Sequence, residues 1–172
     1  MKKLAYLLSF LIITLLSCKK IKNQDDQQQT CDIQKTKSIN NGKVTIVNGV
    51  WGTVSIRQGD CMPMSPPATN TCTECAIQRE VRIYAYTKST DATPAIPVTG
   101  LYDSFSTQLI KTVTTDSQGF FEITLPDGKY TIVFVEGGKL YASIGDGQGG
   151  ISPVTVAQNK VNFNLLLNRA VD

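Results

Sequence analysis

Apolar residues recur at every second position from residue 44 onward, and this pattern constrains the fold of the chain more than any other feature. Val50, Val54 and Ile56 fall on one side of an extended run. The other side of that run carries Thr53, Ser55 and Arg57. Such alternation predicts a β-strand with one buried and one exposed face. Beyond the N-terminal segment no window of about 11 residues has helical periodicity, so we expect an all-β domain.

Turn residues separate further runs with the same period. These runs cover residues 81–86, 110–115, 120–125, 129–135, 140–144, 154–156 and 161–167. Residues 116–119, Asp-Ser-Gln-Gly, have hairpin-turn chemistry, so the two runs that they join are expected to pair. The run 129–135 is apolar on both faces, which is typical of a central strand. The sequence predicts an antiparallel β-sandwich of seven to eight strands.

Large aromatic side chains are the expected filling of the sandwich. The candidates are Trp51, Phe121, Tyr130, Phe134 and Phe163. Such rings supply much of the apolar area that a small core buries, so we expect them between the two sheets.

The first 17 residues have the organisation of an export signal. Lys2 and Lys3 precede residues 4–16, which are apolar apart from three positions. As a helix this stretch spans about 20 Å, short of the roughly 30 Å core of a bilayer. Its length therefore favours a signal-peptide h-region, which forms an N-terminal signal helix, over a permanent membrane span. Residues 15–18, Leu-Leu-Ser-Cys, resemble the lipobox of bacterial lipoproteins, in which cleavage precedes the Cys and Cys18 carries lipid such as palmitate.

We expect three segments along the chain. Residues 1–17 are the signal peptide, residues 18–43 a lipid-anchored flexible tether, and residues 44–172 the β-sandwich domain. The tether is predicted from polar composition, including Gln at 27–29, because such a segment buries too little apolar surface to offset the entropy of ordering. Without Lys2 and Lys3 the chain has 15 basic and 14 acidic residues, so it lacks the excess of positive charge that is typical of nucleic-acid binding.

Four cysteines remain once Cys18 is assigned to the lipid: Cys31, Cys61, Cys72 and Cys75. An even number in an exported chain predicts two disulfides, with three possible connectivities. Since Cys31 lies in the tether and the other three in one loop-like stretch, one bridge is expected to join the two segments. A direct bridge from Cys72 to Cys75 would be geometrically tight.

The middle of the chain resembles the hallmark of carboxypeptidase regulatory-like domains. Residues 115–121, Thr-Asp-Ser-Gln-Gly-Phe-Phe, are similar to the T-D-x-x-G-x-F hairpin of this family, and residues 125–130 to its L-P-x-G-x-Y motif. Residues 49–54 are similar to its opening strand. The resemblance covers about residues 48–167 and departs from the family in the Cys-rich insertion at 58–79.

That resemblance implies a prealbumin-like sandwich of seven strands, related to transthyretin-like and collagen-adhesin B-type domains. It implies no peptidase activity, because in carboxypeptidases this module stands beside the catalytic domain. Elsewhere such modules are stalks, spacers, or adhesive and carbohydrate-associated units. Collagen-adhesin modules can also carry a Lys–Asn isopeptide bond aided by a buried acid. Lys43, Glu122, and Asn162 or Asn164 are residues of suitable type, but the Glu motif of those modules is not evident, so no such bond is expected.

The chain contains no histidine, which removes Ser-His-Asp and Cys-His catalysis in their usual forms and the usual zinc hydrolase sites. A carboxylate pair of the glycosidase kind remains open. The candidate carboxylates lie at turns or at outward strand positions: Asp60, Glu80, Asp103, Glu122 and Asp146. We therefore expect no enzyme and no cofactor.

Two loops formally match ligand motifs. Residues 145–150, Gly-Asp-Gly-Gln-Gly-Gly, satisfy G-x-G-x-x-G, but Pro153 and a β pattern follow where a dinucleotide site needs a helix, so a flexible glycine loop is expected. The turn at Asp116 lacks the further carboxylates of an EF-hand, which favours a plain turn.

The Cys-rich loop offers one alternative site. Cys61, Met62, Met64, Cys72 and Cys75 are soft ligands suited to Cu(I), whereas an oxidising compartment favours disulfides. The main expectation is a non-catalytic lipoprotein of the cell envelope, anchored to the outer membrane, whose sandwich is a structural or binding module for a protein or glycan. The alternative is a periplasmic soft-metal or redox-active protein. Whether the domain faces the periplasm or the cell surface stays open.

Overall fold

The computed structural model describes residues 31–62 and 71–171, which form a β-sandwich with one α-helix and one short 3-10 helix (Ser89–Asp91) in that part of the chain. The α-helix is α1 (Ile33–Asn41). The strands are β1 (Gly49–Asp60), β2 (Thr73–Ala76), β3 (Glu80–Ala85), β4 (Ala92–Pro94), β5 (Leu101–Phe105), β6 (Leu109–Thr114), β7 (Phe120–Thr124), β8 (Gly128–Glu136), β9 (Lys139–Tyr141), β10 (Pro153–Val156), β11 (Lys160–Asn162) and β12 (Leu165–Val171). The predicted signal peptide, Cys18 and Met64 lie outside these ranges. Among the described helices none has the length and apolar character needed to cross a bilayer.

A five-stranded sheet is organised around the long strand β1. The first half of β1 pairs with β7 on one side and β11 on the other, and its second half pairs with β2 and β12. The pairings with β7 and β2 are antiparallel, whereas those with β11 and β12 are parallel. The sandwich is thus mostly antiparallel, as predicted, with a parallel seam that period-two alternation does not reveal.

The seven-stranded sheet has the order β4-β5-β9-β8-β3-β6, and β10 also pairs with β8. Residues 130–134 of β8 are buried on both faces, which confirms that this strand is central. One face packs on the five-stranded sheet. The other face forms a second cluster with Tyr84, Val133 and Leu140, which Tyr102 and Phe105 of β5 cover.

The main core lies between the sheets and contains three of the predicted aromatic residues, Phe121, Tyr130 and Phe134. Phe163 packs against the core from a partly buried position. Trp51 is only partly buried, and its prediction as a core residue is wrong. It neighbours Val50, which is fully buried, and successive residues of a strand point to opposite faces, so Trp51 points away from the core.

The prediction of a flexible tether up to residue 43 is wrong for residues 31–43. Helix α1 begins after Asp32, whose side chain accepts a hydrogen bond from the Lys35 amide at 3.1 Å. Asn40 is fully buried and donates to Thr53 Oγ1 at 2.9 Å and to the Gln118 carbonyl at 3.0 Å. Polar contacts hold this helix to the sheet. The sequence therefore lacks the apolar stripe that would predict an amphipathic helix.

Because α1 covers the outer face of β1, both faces of that strand are buried in its middle. Thr53 and Ser55, predicted to face solvent, are 1% and 2% exposed. The strand begins at Gly49 and not at residue 44, because the preceding residues are held by side-chain contacts. Glu122 accepts hydrogen bonds from the Thr45 amide at 2.8 Å and from the Ile46 amide at 3.3 Å.

The expected hairpin between residues 110–115 and 120–125 does not form. β6 pairs with β3 in one sheet, whereas β7 pairs with β1 in the other. The turn itself is as predicted: Gly119 has φ +69° and its amide donates to the Asp116 carbonyl at 3.0 Å. The chain reversal is therefore a crossing between sheets, because turn chemistry fixes the local bend but not the partners of the strands that leave it.

Candidate functional site

An open cleft of about 600 Å³ lies on the seven-stranded sheet, at the point where two different strands pair with one side of β8. β9 and β10 both pair with the same side of β8, β9 with its last residues and β10 with its first. The chain between β9 and β10 leaves the sheet there and builds one wall of the cleft. Within this excursion residues 145–150 form what we call the glycine loop, and an antiparallel bridge joins Gly145 to Ile151 at its base.

The opposite wall comes from β5 and the loop before it, through Thr99, Gly100 and Tyr102. The Ala142 amide donates to the Gly100 carbonyl at 2.9 Å, which ties the two walls together at one end. Gly100 has φ +82°, and a Cβ on this residue would lie 2.9 Å from the Ala142 oxygen. Glycine is therefore needed where the walls meet.

Asp146 organises the glycine loop from within. Its Oδ1 accepts hydrogen bonds from the amides of Gln148 at 2.9 Å and Gly150 at 2.8 Å. Its Oδ2 accepts from the Tyr86 hydroxyl at 2.8 Å and from Lys129 Nζ at 3.1 Å. Four donors thus converge on one carboxylate, and the loop is held by Asp146 instead of being the flexible linker expected from its glycines.

Electrostatics favours the charged form of this carboxylate. The Tyr86 hydroxyl, the amides of Gln148 and Gly150, and Lys129 together hold the pKa of Asp146 far below its usual range. In turn, the hydrogen bond to Asp146 raises the pKa of Lys129. The Lys129 ammonium also lies 3.9 Å from the centre of the Tyr86 ring, a cation–π contact. The pair therefore stays ionised at neutral pH.

Steric fit explains one glycine of the loop. A Cβ on Gly150 would lie 2.5 Å from Asp146 Oδ2 and 2.6 Å from the Tyr86 hydroxyl oxygen. Gly150 therefore lets the loop approach Tyr86 closely enough for Asp146 to accept its hydrogen bond. The Ser89 amide donates to the Gly149 carbonyl at 2.8 Å, which fixes the far side of the loop.

The segment between β9 and β10 ends at a residue with a strained backbone. Ser152, directly before β10, has φ +40°, which is uncommon for a residue with a Cβ. Its backbone is held on both sides, since its amide donates to the Ile144 carbonyl at 2.8 Å and its carbonyl accepts from the Ile132 amide at 3.0 Å. Strained residues persist where the surrounding structure fixes them, as it does here.

The cleft surface is neutral and mixed in polarity. It combines the rings of Tyr102 and Tyr141 with hydroxyl groups and with the backbone of the glycine loop. Among the described residues that line it, none carries a formal charge. Ile144, in the lining, is 48% exposed, and Val98, which precedes the lining residue Thr99, is 55% exposed. The site can therefore offer aromatic and hydroxyl groups to a ligand.

The predicted disulfides are present. Cys31 is bonded to Cys75 and Cys61 to Cys72, so one bridge joins the N-terminal segment to the Cys-rich stretch, as expected. Thiolate coordination of Cu(I) would need both bridges to be reduced. Met62 is 51% exposed beside Cys61, and within the described ranges no cluster of three or more metal-ligating Cys, Asp or Glu residues occurs.

The candidate carboxylates are distributed over separate contacts. Glu80 pairs with Arg82, Asp103 with Lys139, and Glu122 with the Thr45 segment. Asp60 accepts from the Met62 amide at 3.1 Å, and Asp146 lies in the glycine loop. The structure gives each carboxylate its own partners and shows none of these residues paired with another.

The residues considered for an isopeptide bond also contact other groups. Lys43 Nζ lies 2.6 Å from Asp116 Oδ2 and 5.3 Å from the centre of the Phe120 ring. Asn164 donates to Asn162, and its own oxygen accepts from the Thr53 amide. The described contacts of Lys43 therefore belong to the turn at Asp116 and not to either asparagine.

Sequence reasoning identified the glycine loop but missed Tyr86 and Lys129 as its partners. The available signal was Asp followed by Gly-x-Gly, since Asp side chains commonly bond to amides two residues on. Comparisons with models of protein families, with curated proteins and with solved structures find no match to this chain. The chemistry of the cleft is thus the basis on which a function is inferred.

Proposed function

We propose that this chain is a lipid-anchored protein of the bacterial cell envelope whose β-sandwich is a non-catalytic binding module for a protein or glycan partner. The observation that carries the binding role is the cleft beside the glycine loop, a preformed concave site lined by aromatic and hydroxyl-bearing residues. Sites of this size and mixed polarity are typical of ligand binding.

Export is supported independently of the cleft. The apolar stretch 4–16 is followed by Leu-Leu-Ser-Cys at 15–18, and the two disulfides suit an oxidising compartment. In this proposal Cys18 carries the lipid and holds the protein at the outer membrane. The sandwich is then a divergent member of the carboxypeptidase regulatory-like domains, since the residues that resemble this family lie on β1, on β7 and β8, and on the turns before these two strands.

Lipid labelling tests the anchor. The full chain is expressed in a Gram-negative host with radiolabelled palmitate, beside a Cys18→Ser variant. We expect label in the protein and none in the variant. Equal labelling of both, or none in either, would contradict the proposed anchor.

Photo-crosslinking tests the binding module in the anchored protein. Gln148 is exposed in the glycine loop, and Lys111 is exposed on β6, so a photoreactive residue at 148 probes the cleft and one at 111 is the matched control. A protein or glycan adduct that forms from 148 and not from 111 is the expected result. The same adducts from both positions, or none from 148, would argue against the cleft as the binding site.

A further inference from the structure

The charged pair that holds the glycine loop is satisfied within the protein. Lys129 and Asp146 are paired with each other, and neither side chain belongs to the cleft lining. A charged ligand that enters the cleft would lose water without gaining a counter-charge from the walls, which is costly. The lining itself therefore gives no charge complementarity to phosphates, acidic peptides or basic peptides.

The backbone of both walls is also engaged. The Ser89 amide donates to the Gly149 carbonyl, the Ile151 amide to the Thr87 carbonyl at 3.0 Å, and the Ala142 amide to the Gly100 carbonyl. A peptide that binds by adding a strand needs a row of free amide and carbonyl groups on a sheet edge. These wall groups are paired within the chain, so an extended peptide finds a poor template here.

Hydroxyl and aromatic groups are what the cleft presents instead. Ser89 and Thr99 in the lining carry hydroxyls that can both donate and accept hydrogen bonds, whereas the Ser143 hydroxyl donates to the Leu166 carbonyl at 3.5 Å. Tyr102 is a half-buried aromatic residue of the lining, and its ring packs on Phe105 with 5.4 Å between ring centres. A sugar has the complementary chemistry, because its hydroxyls pair with hydroxyls and its C–H faces pack on aromatic rings.

We propose that the cleft binds a segment of an uncharged polysaccharide, with Tyr102 as the stacking platform and the glycine loop as a wall fixed in advance by Asp146. This inference rests on the proposed binding function and narrows its ligand to a neutral glycan. The cleft is open to solvent, which suits a stretch of chain instead of a single enclosed sugar. Because the loop is already ordered, little conformational entropy is lost on binding.

Calorimetry tests the ligand class. The full-length lipoprotein, in a detergent without a sugar headgroup, is titrated with hexamers of glucose in α-1,4 and β-1,4 linkage, of mannose and of N-acetylglucosamine, and with anionic tetragalacturonate. We expect heat of binding from at least one neutral hexamer and none from tetragalacturonate. Equal or tighter binding of the anionic probe would overturn the inference.

Variants at the platform sharpen the test. Tyr102→Ala is expected to weaken the binding by about tenfold or more, whereas Tyr102→Phe keeps the ring and most of the affinity. Leu109→Ala is the control, because Leu109 is exposed on β6, outside the cleft lining. Unchanged affinity in folded Tyr102→Ala would overturn the role of Tyr102.

Nuclear magnetic resonance locates the site even if a variant fails to fold. In wild-type protein the amide signals of Gly100, Gly147 and Gly149 are expected to shift when the hexamer is added. Binding that leaves them unmoved would place the sugar elsewhere and overturn the inference. If no neutral hexamer binds while crosslinking from position 148 still yields a protein, the glycan inference fails and the proposed binding function stands. If both experiments are negative, both proposals fail.

Discussion

Lys129 Nζ lies 3.1 Å from Asp146 Oδ2, and this ion pair connects central strand β8 to the glycine loop that leaves the sheet. The same carboxylate also caps two amides of its own loop. The pair therefore links the rigid part of the sheet to the wall of the cleft, and changes at Asp146 are expected to act on loop order.

Replacing Asp146 separates its two roles. Asp146→Asn keeps an oxygen that can accept from the amides of Gln148 and Gly150, but it removes the charge that Lys129 faces. Asp146→Ala removes both. We expect amide hydrogen exchange at Gln148 and Gly150 to stay slow in the Asn variant and to become faster in the Ala variant. Equal exchange in both variants would show that the caps do not order the loop.

Acid is expected to destabilise the protein. Hydrogen bonds, first that of the Tyr86 hydroxyl, hold the pKa of Asp146 below the ordinary 3.8. In Asp116, Glu74 and Glu122 desolvation by burial raises the pKa, but hydrogen bonds and nearby cations outweigh it and hold the pKa below the ordinary 3.8 and 4.5. A carboxyl with a lower pKa in the folded chain stabilises the fold above its unfolded pKa, and this contribution is lost as the pH falls through the folded pKa.

The free energy of unfolding is therefore expected to be level from neutral pH down to about pH 5 and to fall below it. Urea denaturation at a series of pH values measures this. Glu74→Gln should flatten part of the slope, because that glutamate accepts hydrogen bonds from Arg57 and Ser55. A urea midpoint that does not change down to pH 2 would be inconsistent with these shifts.

Gly150→Ala is expected to crowd Tyr86 and Asp146. A Cβ at 2.5 Å from the carboxylate oxygen requires movement of the loop, and overpacking of this kind costs about 1–3 kcal/mol. Gly145→Ala is the matched control, since its Cβ would meet only the Gly150 carbonyl, at 3.4 Å. We expect it to change stability by about 0.5 kcal/mol or less. Equal losses in the two variants would refute the steric argument.

Two adjacent asparagines test whether α1 is part of the fold. Asn40 is fully buried and hydrogen-bonded to Thr53, whereas Asn41 is exposed. Asn40→Ala is expected to lower the free energy of unfolding by about 1–3 kcal/mol, and Asn41→Ala by about 0.5 kcal/mol or less. Thermal unfolding of both variants decides the matter, and a neutral Asn40→Ala would mean that the helix contributes nothing to stability.

The two disulfides are expected to stabilise unequally. Cys31 and Cys75 are 44 residues apart, whereas Cys61 and Cys72 are 11 apart. Loop-closure entropy gives about 4 kcal/mol for the longer loop and about 3 kcal/mol for the shorter. Denaturation of the double Ser variants of each pair should show the larger loss for Cys31 and Cys75. Thiol titration of the exported protein is expected to find both pairs oxidised; four free thiols would instead favour the soft-metal alternative.

Period-two alternation was sufficient to predict the class of fold and the central position of β8. It fails where polar residues on an outward face are covered by polar side chains of neighbouring elements. Thr53 and Ser55 are polar and read as exposed, yet Asn40 of α1 bonds to Thr53 and Glu74 of β2 bonds to Ser55. The helix was missed because its buried residues are themselves polar, and hydrophobic periodicity detects only apolar residues.

The glycine loop shows how much of a site local sequence contains. Its turn residues are contiguous and were found, whereas Tyr86 is 60 residues from Asp146 and Lys129 is 17 residues away. Only the pairing of β3 with β8 brings Tyr86 and Lys129 next to each other. The composition of a loop thus predicts that the chain turns there. Whether the loop is ordered depends on which strands pair beside it, and hydrophobic alternation does not predict that pairing.

If the N-terminal lipid anchor proposed above is correct, the bond from Cys31 to Cys75 has a mechanical consequence. Tension arriving along the chain passes through the sulfur atoms into β2 and then into β1, where Ile56 pairs with Cys75. Helix α1 is thereby relieved of the load and cannot be peeled from the sheet before the sandwich itself yields. The force then reaches β1, which pairs with other strands along both of its edges.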